Sequence, residues 1–145
     1  MPDTATPLVL HASAVAVEGR GLLIRGASGR GKSSLALELM ARGALLVADD
    51  RVIVTPRKGQ APWLSAPKTI AGLIEANGIG ILHAAALTTG AELTAVVDLD
   101  HEETHRLPPM RETILMNRAV PLLHFCASPY FPAAILQYLK GGRKD

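Results

Sequence analysis

The chain has 145 residues, of which 48% are hydrophobic and 19% charged, so it is predicted to form a single domain over residues 1–145, and disordered and fibrous classes are excluded. Fifteen basic residues against 13 acidic ones give a formal net charge of +2, which is too small and too dispersed for a nucleic-acid-binding surface. One cysteine forms no internal disulfide, and no stretch long enough to span a membrane is free of polar side chains. We therefore expect a cytoplasmic protein whose partners include neither nucleic acid nor a membrane.

The first half of the chain predicts strands around a single helix. In order, the elements are a hairpin over residues 8–24, a glycine-rich loop over 26–31, a helix over 32–42, a buried strand over 44–48 and a further strand from Val52. The turn signal EGRG divides the hairpin, and Gly43 is the expected C′ residue of the helix. The run ALLVA at 44–48 is continuous and apolar, as in strands that are buried on both faces.

The second half is less regular. Its elements are a loop or edge strand over residues 56–67, a segment of apolar residues and glycines over 69–82, a buried strand over 93–99, a polar loop over 101–109 and a helix over 131–140. The run LTAVVDL at 93–99 is the clearest strand, while the segment before the last helix predicts no definite element. Strands and helices in this arrangement indicate the α/β class, with a central sheet.

One motif carries the strongest functional signal, because residues 26–33 match G-x-x-x-x-G-K-[ST] at every fixed position. The residues are Gly26, Ala27, Ser28, Gly29, Arg30, Gly31, Lys32 and Ser33. Glycines let backbone N–H groups converge on phosphate oxygens, while Lys32 reaches the outer phosphates and Ser33 ligates Mg²⁺. An ordinary glycine-rich turn is the alternative, but the position between an apolar strand and a helix favours nucleotide binding.

Two acidic residues, Asp49 and Asp50, follow the buried strand at 44–48. A nucleotide-hydrolysing or kinase site of this kind needs an acid at the end of a neighbouring strand, to bind Mg²⁺ or to orient an attacking group. Because adjacent strand residues face opposite ways, we expect one acid to point at the phosphates and the other to support the loop or the substrate. The alternatives are a solvated turn and ion pairs with Arg51 or Arg20.

These features together resemble the HPr kinase/phosphorylases of bacteria. Four elements of that family match in order and spacing: a histidine on the strand before the loop, the G-x-S-G-x-G-K-S loop, a V-A-D-D strand end and a segment of the form E-x-R-G-x-G-I. Here they are His11, residues 26–33, residues 47–50 and residues 75–81. The resemblance extends from about His11 to Asp100.

The resemblance implies an α/β P-loop kinase domain with a central mixed sheet and the phosphate loop at a strand-to-helix junction. It implies the use of ATP and Mg²⁺ to phosphorylate a serine of HPr, a small phosphocarrier of the sugar phosphotransferase system, and removal of that phosphate by phosphorolysis. A homo-oligomer is also expected by resemblance.

The resemblance also assigns roles to individual residues. Lys32 contacts phosphates, while Ser33 and Glu75 hold Mg²⁺. Asp50 is the proton acceptor in the kinase direction, with Asp49 assisting beside it. His11 is expected near the transferred phosphate, where a hydrogen-bond donor stabilises charge.

The chain departs from the family pattern in three respects. It has no room for the further N-terminal domain of typical members, Asn77 replaces the usual arginine of the glycine-rich segment, and the later segment at 120–128 (VPLLHFCAS) contains no arginine. Arg111 or Arg118 would have to compensate. Two other functions therefore remain open: a P-loop kinase for a small molecule, and a nucleotide-sensing regulator that transfers no phosphate.

A second motif, HEETH at residues 101–105, matches the zinc-protease pattern H-E-x-x-H. That pattern needs a helix that presents both histidines on one face. Pro108 and Pro109 end any helix within a turn, and no further ligand follows at the required spacing. We expect a solvated loop at the exit of a strand.

Overall fold

The computed structural model describes residues 6–145, so that residues 1–5 of the expected domain lie outside the described residues. The strands within the described part are β1 (Leu8–Leu10), β2 (Ser13–Val17), β3 (Arg20–Arg25), β4 (Leu45–Ala48), β5 (Val52–Arg57), β6 (Gln60–Ser65), β7 (Leu73–Ala76), β8 (Gly80–His83), β9 (Ala91–Glu102), β10 (Glu112–Leu115) and β11 (Arg118–Phe125). The helices are α1 (Lys32–Ala41), α2 (Phe131–Gly141) and a short 3-10 turn at Lys68–Ile70.

Nine of the described strands form one sheet, in the order β1-β5-β6-β9-β3-β2-β4, with β11 on β9 and β10 on β11. The central strand β9 is parallel to β3 and β11 and antiparallel to β6. The sheet is therefore mixed, as expected for the α/β class. Strands β7 and β8 form a separate hairpin.

The core lies on both faces of this sheet because alternate residues of each strand point to opposite sides. On one face, Val15 and Val17 of β2 pack with Leu39 of α1 and with Ile135 and Leu139 of α2. The other face is covered by side chains of the sheet itself, and Ala14 and Ala16 of β2 pack there with Val52, Val54 and Leu64. The two helices thus lie on one side of the sheet.

Helix α1 ends as its sequence predicts. Gly43 has a φ of +104°, a left-handed conformation that glycine adopts without strain. Its N–H donates to the carbonyl of Met40 at 3.1 Å, and the N–H of Ala44 donates to the carbonyl of Leu39 at 3.0 Å. This pair of bonds satisfies carbonyls that have no partner within the helix.

Strands in the less regular regions differ from the sequence expectation. The proline-containing region 56–67 is largely a hairpin of β5 and β6, and the register between them shifts from Thr55 to Arg57, at Pro56. A bulge accommodates a proline, which has no N–H for the strand ladder. Residues 73–83 form the β7–β8 hairpin, and β10 and β11 lie where no definite element was expected.

No helix in the described part of the chain is long and apolar enough to cross a membrane.

Candidate nucleotide-binding site

The glycine-rich loop, residues 26–31, connects β3 to α1. Gly31 is the N-cap residue of α1, with a φ of +98°, and its carbonyl accepts the first helical hydrogen bond from Leu35 at 2.9 Å. No side chain caps this end of the helix. The first N–H groups of a helix have no partner within it, and they carry the positive end of the helix dipole. The loop therefore offers a built anion site at the start of α1.

Lys32 lies inside the concave side of this loop. Its Nζ donates to the carbonyls of Gly26 at 2.7 Å and Ala27 at 3.3 Å, and the residue is only 9% exposed. The ammonium group has three donors. It is thus held close to the helix N-terminus, where its charge adds to that of the helix dipole.

Asp49 is buried beneath the same end of α1, and it is only 4% exposed. Its Oδ1 accepts hydrogen bonds from Ser13 Oγ at 2.6 Å and from Ser33 Oγ at 2.7 Å. Its Oδ2 accepts from the backbone N–H of Glu75 at 3.0 Å and lies 2.9 Å from the Ser33 hydroxyl. One carboxylate thus connects β2, α1 and β7 and fixes the Ser33 side chain.

Asp50 has a different environment. Its backbone is left-handed, with a φ of +72°, and its side chain is 58% exposed. His11 Nε2 lies 2.8 Å from Asp50 Oδ1. Because an ionised carboxylate only accepts hydrogen bonds, His11 Nε2 carries the hydrogen and donates it.

Two expectations for these residues were wrong. His11 lies in the bend between β1 and β2, and not on a strand. Asp49 and Asp50 come after β4, so their different directions arise from the left-handed turn at Asp50 and not from strand alternation. The alternative of an ion pair with Arg20 does not occur, since Arg20 donates to the carbonyls of Leu139 and Lys140.

A pocket of about 230 Å³ opens above these groups. The residues that line it are His11, Ser13, Ser28, Gly29, Gly31, Lys32, Ser33, Ser34, Asp50, Glu75 and Asn77. Most of the residues proposed from the sequence therefore meet at one place. Gly26 and Ala27 contribute carbonyls to Lys32, and Arg30 turns away to Asp100, with Nε 3.3 Å from Oδ1.

Sequence reasoning missed Ser13 and Asp100. Ser13 makes the shortest hydrogen bond to Asp49, and Asp100 Oδ1 accepts the backbone N–H of Ala27 at 3.0 Å. One signal was available for Asp100, which directly follows the predicted strand at 93–99. Carboxyl ends of parallel strands meet at one edge of a sheet, and acids there lie beside the loop of the neighbouring strand.

The oxygen atoms in the pocket suit Mg²⁺. Ser33 supplies a hydroxyl and Glu75 a carboxylate, which are ligands that a hard cation prefers, while the Asp49 carboxylate lies beneath the pocket and accepts a hydrogen bond from Ser33. The described residues contain no group of three or more His, Cys, Asp or Glu side chains arranged to hold a metal. Proteins commonly bind magnesium through one or two carboxylates together with substrate phosphates.

Neither Arg111 nor Arg118, the arginines that would have to compensate, lines this pocket. Arg111 forms two hydrogen bonds with Glu103, at 3.0 and 3.1 Å, and faces a different cavity. The hydrogen bonds from Arg111 lower the pKa of Glu103 to about 2. Arg118 begins β11 and is exposed.

The HEETH segment does not form a helix. His101 and Glu102 belong to β9, and His101 Nδ1 lies 3.1 Å from Asp98 Oδ2. His105 Nδ1 lies 3.1 Å from Glu103 Oε2, in the loop after the strand. The two histidines therefore do not share a helical face, and the zinc-protease alternative is wrong.

Comparisons with known proteins find similar sequences and a similar structure. Residues 3–105 match the family model described as the HPr serine kinase C-terminal domain. The HPr kinase/phosphorylase of Brevibacillus brevis is 36% identical over 130 residues, which cover 82% of this chain and 42% of that protein. The enzyme of Limosilactobacillus reuteri is 48% identical over 83 residues, which cover 57% of this chain and 26% of that protein.

A solved structure is similar over nearly the whole chain. It is that of the Hpr(Ser) kinase/phosphatase from Coxiella burnetii, with a TM-score of 0.76 and 25% sequence identity, and the match covers 92% of this chain and 94% of that one. The chain spans less than half the length of the two curated relatives.

Proposed function

The chain belongs to the family of the HPr serine kinase C-terminal domain, and on that premise we propose that it uses ATP and Mg²⁺ to phosphorylate a serine of an HPr-like phosphocarrier protein. Such a reaction regulates carbohydrate metabolism through the phosphotransferase system. The observation that carries the proposal is the single pocket lined by Lys32, Ser33, Asp50 and His11.

The glycine-rich loop acts as the phosphate-binding loop of a P-loop kinase. Backbone N–H groups at the start of α1 bind phosphate oxygens, and Lys32 exchanges its contacts with the Gly26 and Ala27 carbonyls for the outer phosphates. The charge that moves to the leaving phosphate during transfer is then stabilised by a fixed ammonium group.

Ser33 and Glu75 hold the magnesium ion, and Asp49 orients Ser33. Bound magnesium neutralises charge on the triphosphate. The Ser33 hydroxyl donates to Asp49, so its lone pairs stay directed away from that carboxylate. Asp49 thereby acts by positioning Ser33. This role is more specific than the one expected from the sequence, in which Asp49 assists Asp50.

Asp50 accepts the proton of the substrate serine. The serine oxygen forms a bond to the γ-phosphorus, the bond from that phosphorus to the β–γ bridging oxygen breaks, and ADP leaves. His11 holds Asp50 Oδ1, so Oδ2 receives the proton. Both side chains are more than half exposed, which suits a protein substrate that approaches from solvent.

The test is to incubate the protein with ATP, Mg²⁺ and its cognate HPr and to detect phosphoserine by mass spectrometry. HPr in which the acceptor serine is replaced by alanine is the control. Phosphate on that serine supports the proposal, while ADP formation without phosphoserine contradicts it and favours a small-molecule acceptor. Adding inorganic phosphate to the phosphorylated HPr measures phosphorolysis.

One observation favours a second candidate, a nucleotide-sensing regulator that transfers no phosphate. Among the described residues that line the pocket, Lys32 is the only lysine or arginine, and Asn77 stands where the family has an arginine. A second cation near the transferred phosphate commonly stabilises the transition state. Tight ATP binding with neither ADP nor phosphoserine formation would establish this function.

Assembly and location follow from the same proposal. We expect a homo-oligomer in the cytoplasm, without nucleic acid or membrane as partner. Light scattering of the purified protein measures the assembly, and a monomer at all concentrations contradicts it.

A further inference from the structure

Ser13 is a fully buried polar residue at the edge of the pocket, and the mechanism proposed above gives it no role. It is the first residue of β2 and 0% exposed, yet it contributes to the lining of the pocket. The other four residues of this strand, AVAV, are all apolar. The hydroxyl of Ser13 is therefore the one polar side-chain group in an aliphatic strand, and it donates to Asp49 Oδ1 at 2.6 Å.

The pairing of two adjacent strands brings Ser13 against Asp49. Ala14 of β2 is paired with Ala48 of β4 in antiparallel register, so the residue before Ala14 lies opposite the residue after Ala48. Those two residues are Ser13 and Asp49. The contact is thus fixed by the sheet, and it holds the first residue beyond β4 in place.

Each oxygen of the Asp49 carboxylate has its own fixed donor. Oδ1 accepts from the Ser13 hydroxyl, and Oδ2 accepts from the backbone N–H of Glu75. One hydrogen bond at each oxygen restrains rotation of the carboxylate about its Cβ–Cγ bond. The Ser33 hydroxyl lies 2.7 Å from Oδ1 and 2.9 Å from Oδ2, and its single hydrogen is directed towards them. The direction of the Ser33 lone pairs therefore depends on both fixed donors.

Removal of the Ser13 hydroxyl breaks one of these two restraints. Oδ1 is then left with Ser33 as its side-chain donor, and the carboxylate is free to turn about its remaining bond to the Glu75 N–H. Because the Ser33 hydrogen follows the carboxylate, the Ser33 lone pairs turn as well. Removal of a group that orients a metal ligand commonly lowers metal affinity by roughly 10- to 100-fold.

We propose that Ser13 is a positioning residue for the magnesium ion. It fixes Asp49, and through Asp49 it fixes the Ser33 hydroxyl that binds the metal. This inference rests on the proposed function only because it requires ATP and Mg²⁺ at the glycine-rich loop, and it does not require phosphate transfer to a protein.

The test measures ATP affinity by calorimetric titration at a series of Mg²⁺ concentrations, together with the Tm, for wild type and Ser13→Ala. The Mg²⁺ requirement is the concentration that gives half of the full gain in ATP affinity, and we expect it to rise roughly tenfold or more in the variant. ATP affinity without Mg²⁺ stays the same, because Lys32 is held by loop carbonyls and not by Asp49. The Tm falls by about 5–10 °C, since a charge-assisted hydrogen bond is lost.

A control variant separates this role from a loss of stability. Val15 lies in the same strand and is also 0% exposed, so Val15→Ala lowers the Tm as well. It keeps the Ser13 hydroxyl, and we expect it to leave the Mg²⁺ requirement unchanged. Ser13→Cys serves where Ser13→Ala fails to fold, because it fills the site but replaces the hydroxyl by a weak donor. It is expected to raise the Mg²⁺ requirement too.

A double-mutant cycle tests the route through Ser33. In a Ser33→Ala background the ligand that Ser13 positions is already absent. Ser13→Ala is then expected to leave the remaining Mg²⁺ requirement unchanged, so that the two substitutions are not additive. A full additional rise in that background overturns the inference.

The other outcomes separate this inference from the proposed function. An unchanged Mg²⁺ requirement in folded Ser13→Ala or Ser13→Cys overturns the inference, and so does an equal rise in Val15→Ala. A lower requirement also overturns it, since Ser13 would then keep Asp49 away from the metal. If ATP binding to wild type does not depend on Mg²⁺, the proposed function fails and the inference fails with it. If the expected changes occur but no phosphoserine forms, the inference stands and the kinase function is contradicted.

Discussion

Substitution of Asp50 by asparagine separates chemistry from folding and binding. Asparagine is among the residues that tolerate a left-handed backbone, so the φ of +72° at this position is retained. The side chain is exposed, and we expect the free energy of unfolding to change by no more than about 0.5 kcal/mol. Loss of the proton acceptor lowers the transfer rate by roughly 10²- to 10⁴-fold.

The same substitution at Asp49 has a different effect. That carboxylate accepts from Ser13, Ser33 and the backbone N–H of Glu75, whereas an asparagine amide accepts at one atom only. At least one charge-assisted hydrogen bond is lost, which destabilises the protein by about 1.5–3 kcal/mol. For a domain of this size that corresponds to a fall in Tm of about 5–10 °C. Mg²⁺-dependent ATP binding also weakens, because Ser33 is no longer oriented.

The assay measures three quantities for wild type, Asp49→Asn and Asp50→Asn: the Tm, the affinity for labelled ATP with and without Mg²⁺, and the initial rate of phosphoserine formation. We expect Asp50→Asn to retain ATP·Mg²⁺ affinity within about tenfold, which is the signature of a residue that acts only in the chemical step. If Asp50→Asn loses Mg²⁺-dependent binding while Asp49→Asn loses only turnover, the roles of the two acids are reversed. If both variants transfer phosphate at the wild-type rate, neither acid has the proposed role.

Three other predictions follow from single residues. Lys32→Ala lowers the initial rate of phosphoserine formation by roughly 10²-fold or more, since a fixed charge at the outer phosphates is lost; a near-normal rate rules out the phosphate-loop assignment. The purified, untagged protein binds no stoichiometric zinc in its HEETH segment, and metal analysis that finds a tightly held zinc, lost on His101→Ala, contradicts this. Glu103, whose pKa is lowered from 4.5 to about 2 by hydrogen bonds from Arg111, stabilises the fold above about pH 4.5, and this contribution is lost as the pH falls towards 2. Urea unfolding between these pH values is expected to show a flatter pH dependence for Glu103→Gln than for wild type, and equal slopes would refute the ion-pair explanation.

The features of the fold that could be predicted from the sequence are those determined by residues close together along the chain. The EGRG turn between β2 and β3, the end of α1 at Gly43 and the helix at residues 131–140 are each determined by local conformational preferences, and the structure has all three. The glycine-rich loop belongs to the same class, because its position between a strand and a helix is visible in the hydrophobic pattern.

Strand β11 shows why other parts could not be predicted. Most of its residues are exposed or half-buried, and Pro121 interrupts its apolar residues and argues against a central strand. It is held by parallel pairing with β9, more than twenty residues earlier in the chain, with Leu122 opposite Val96. Such pairing depends on tertiary context, which overrides local preference.

The position of Asp100 beside the glycine-rich loop follows from the register of two parallel strands. Arg25 at the end of β3 is paired with Asp98 of β9, so the residue two places further along β9 lies opposite Ala27. Asp100 there accepts the Ala27 N–H and contacts Arg30. A shift of the register by one residue would turn Asp100 to the other face of the sheet. The motif therefore supplies the phosphate ligands, but the pairing of β3 with β9, which no motif encodes, decides how the start of the loop is anchored.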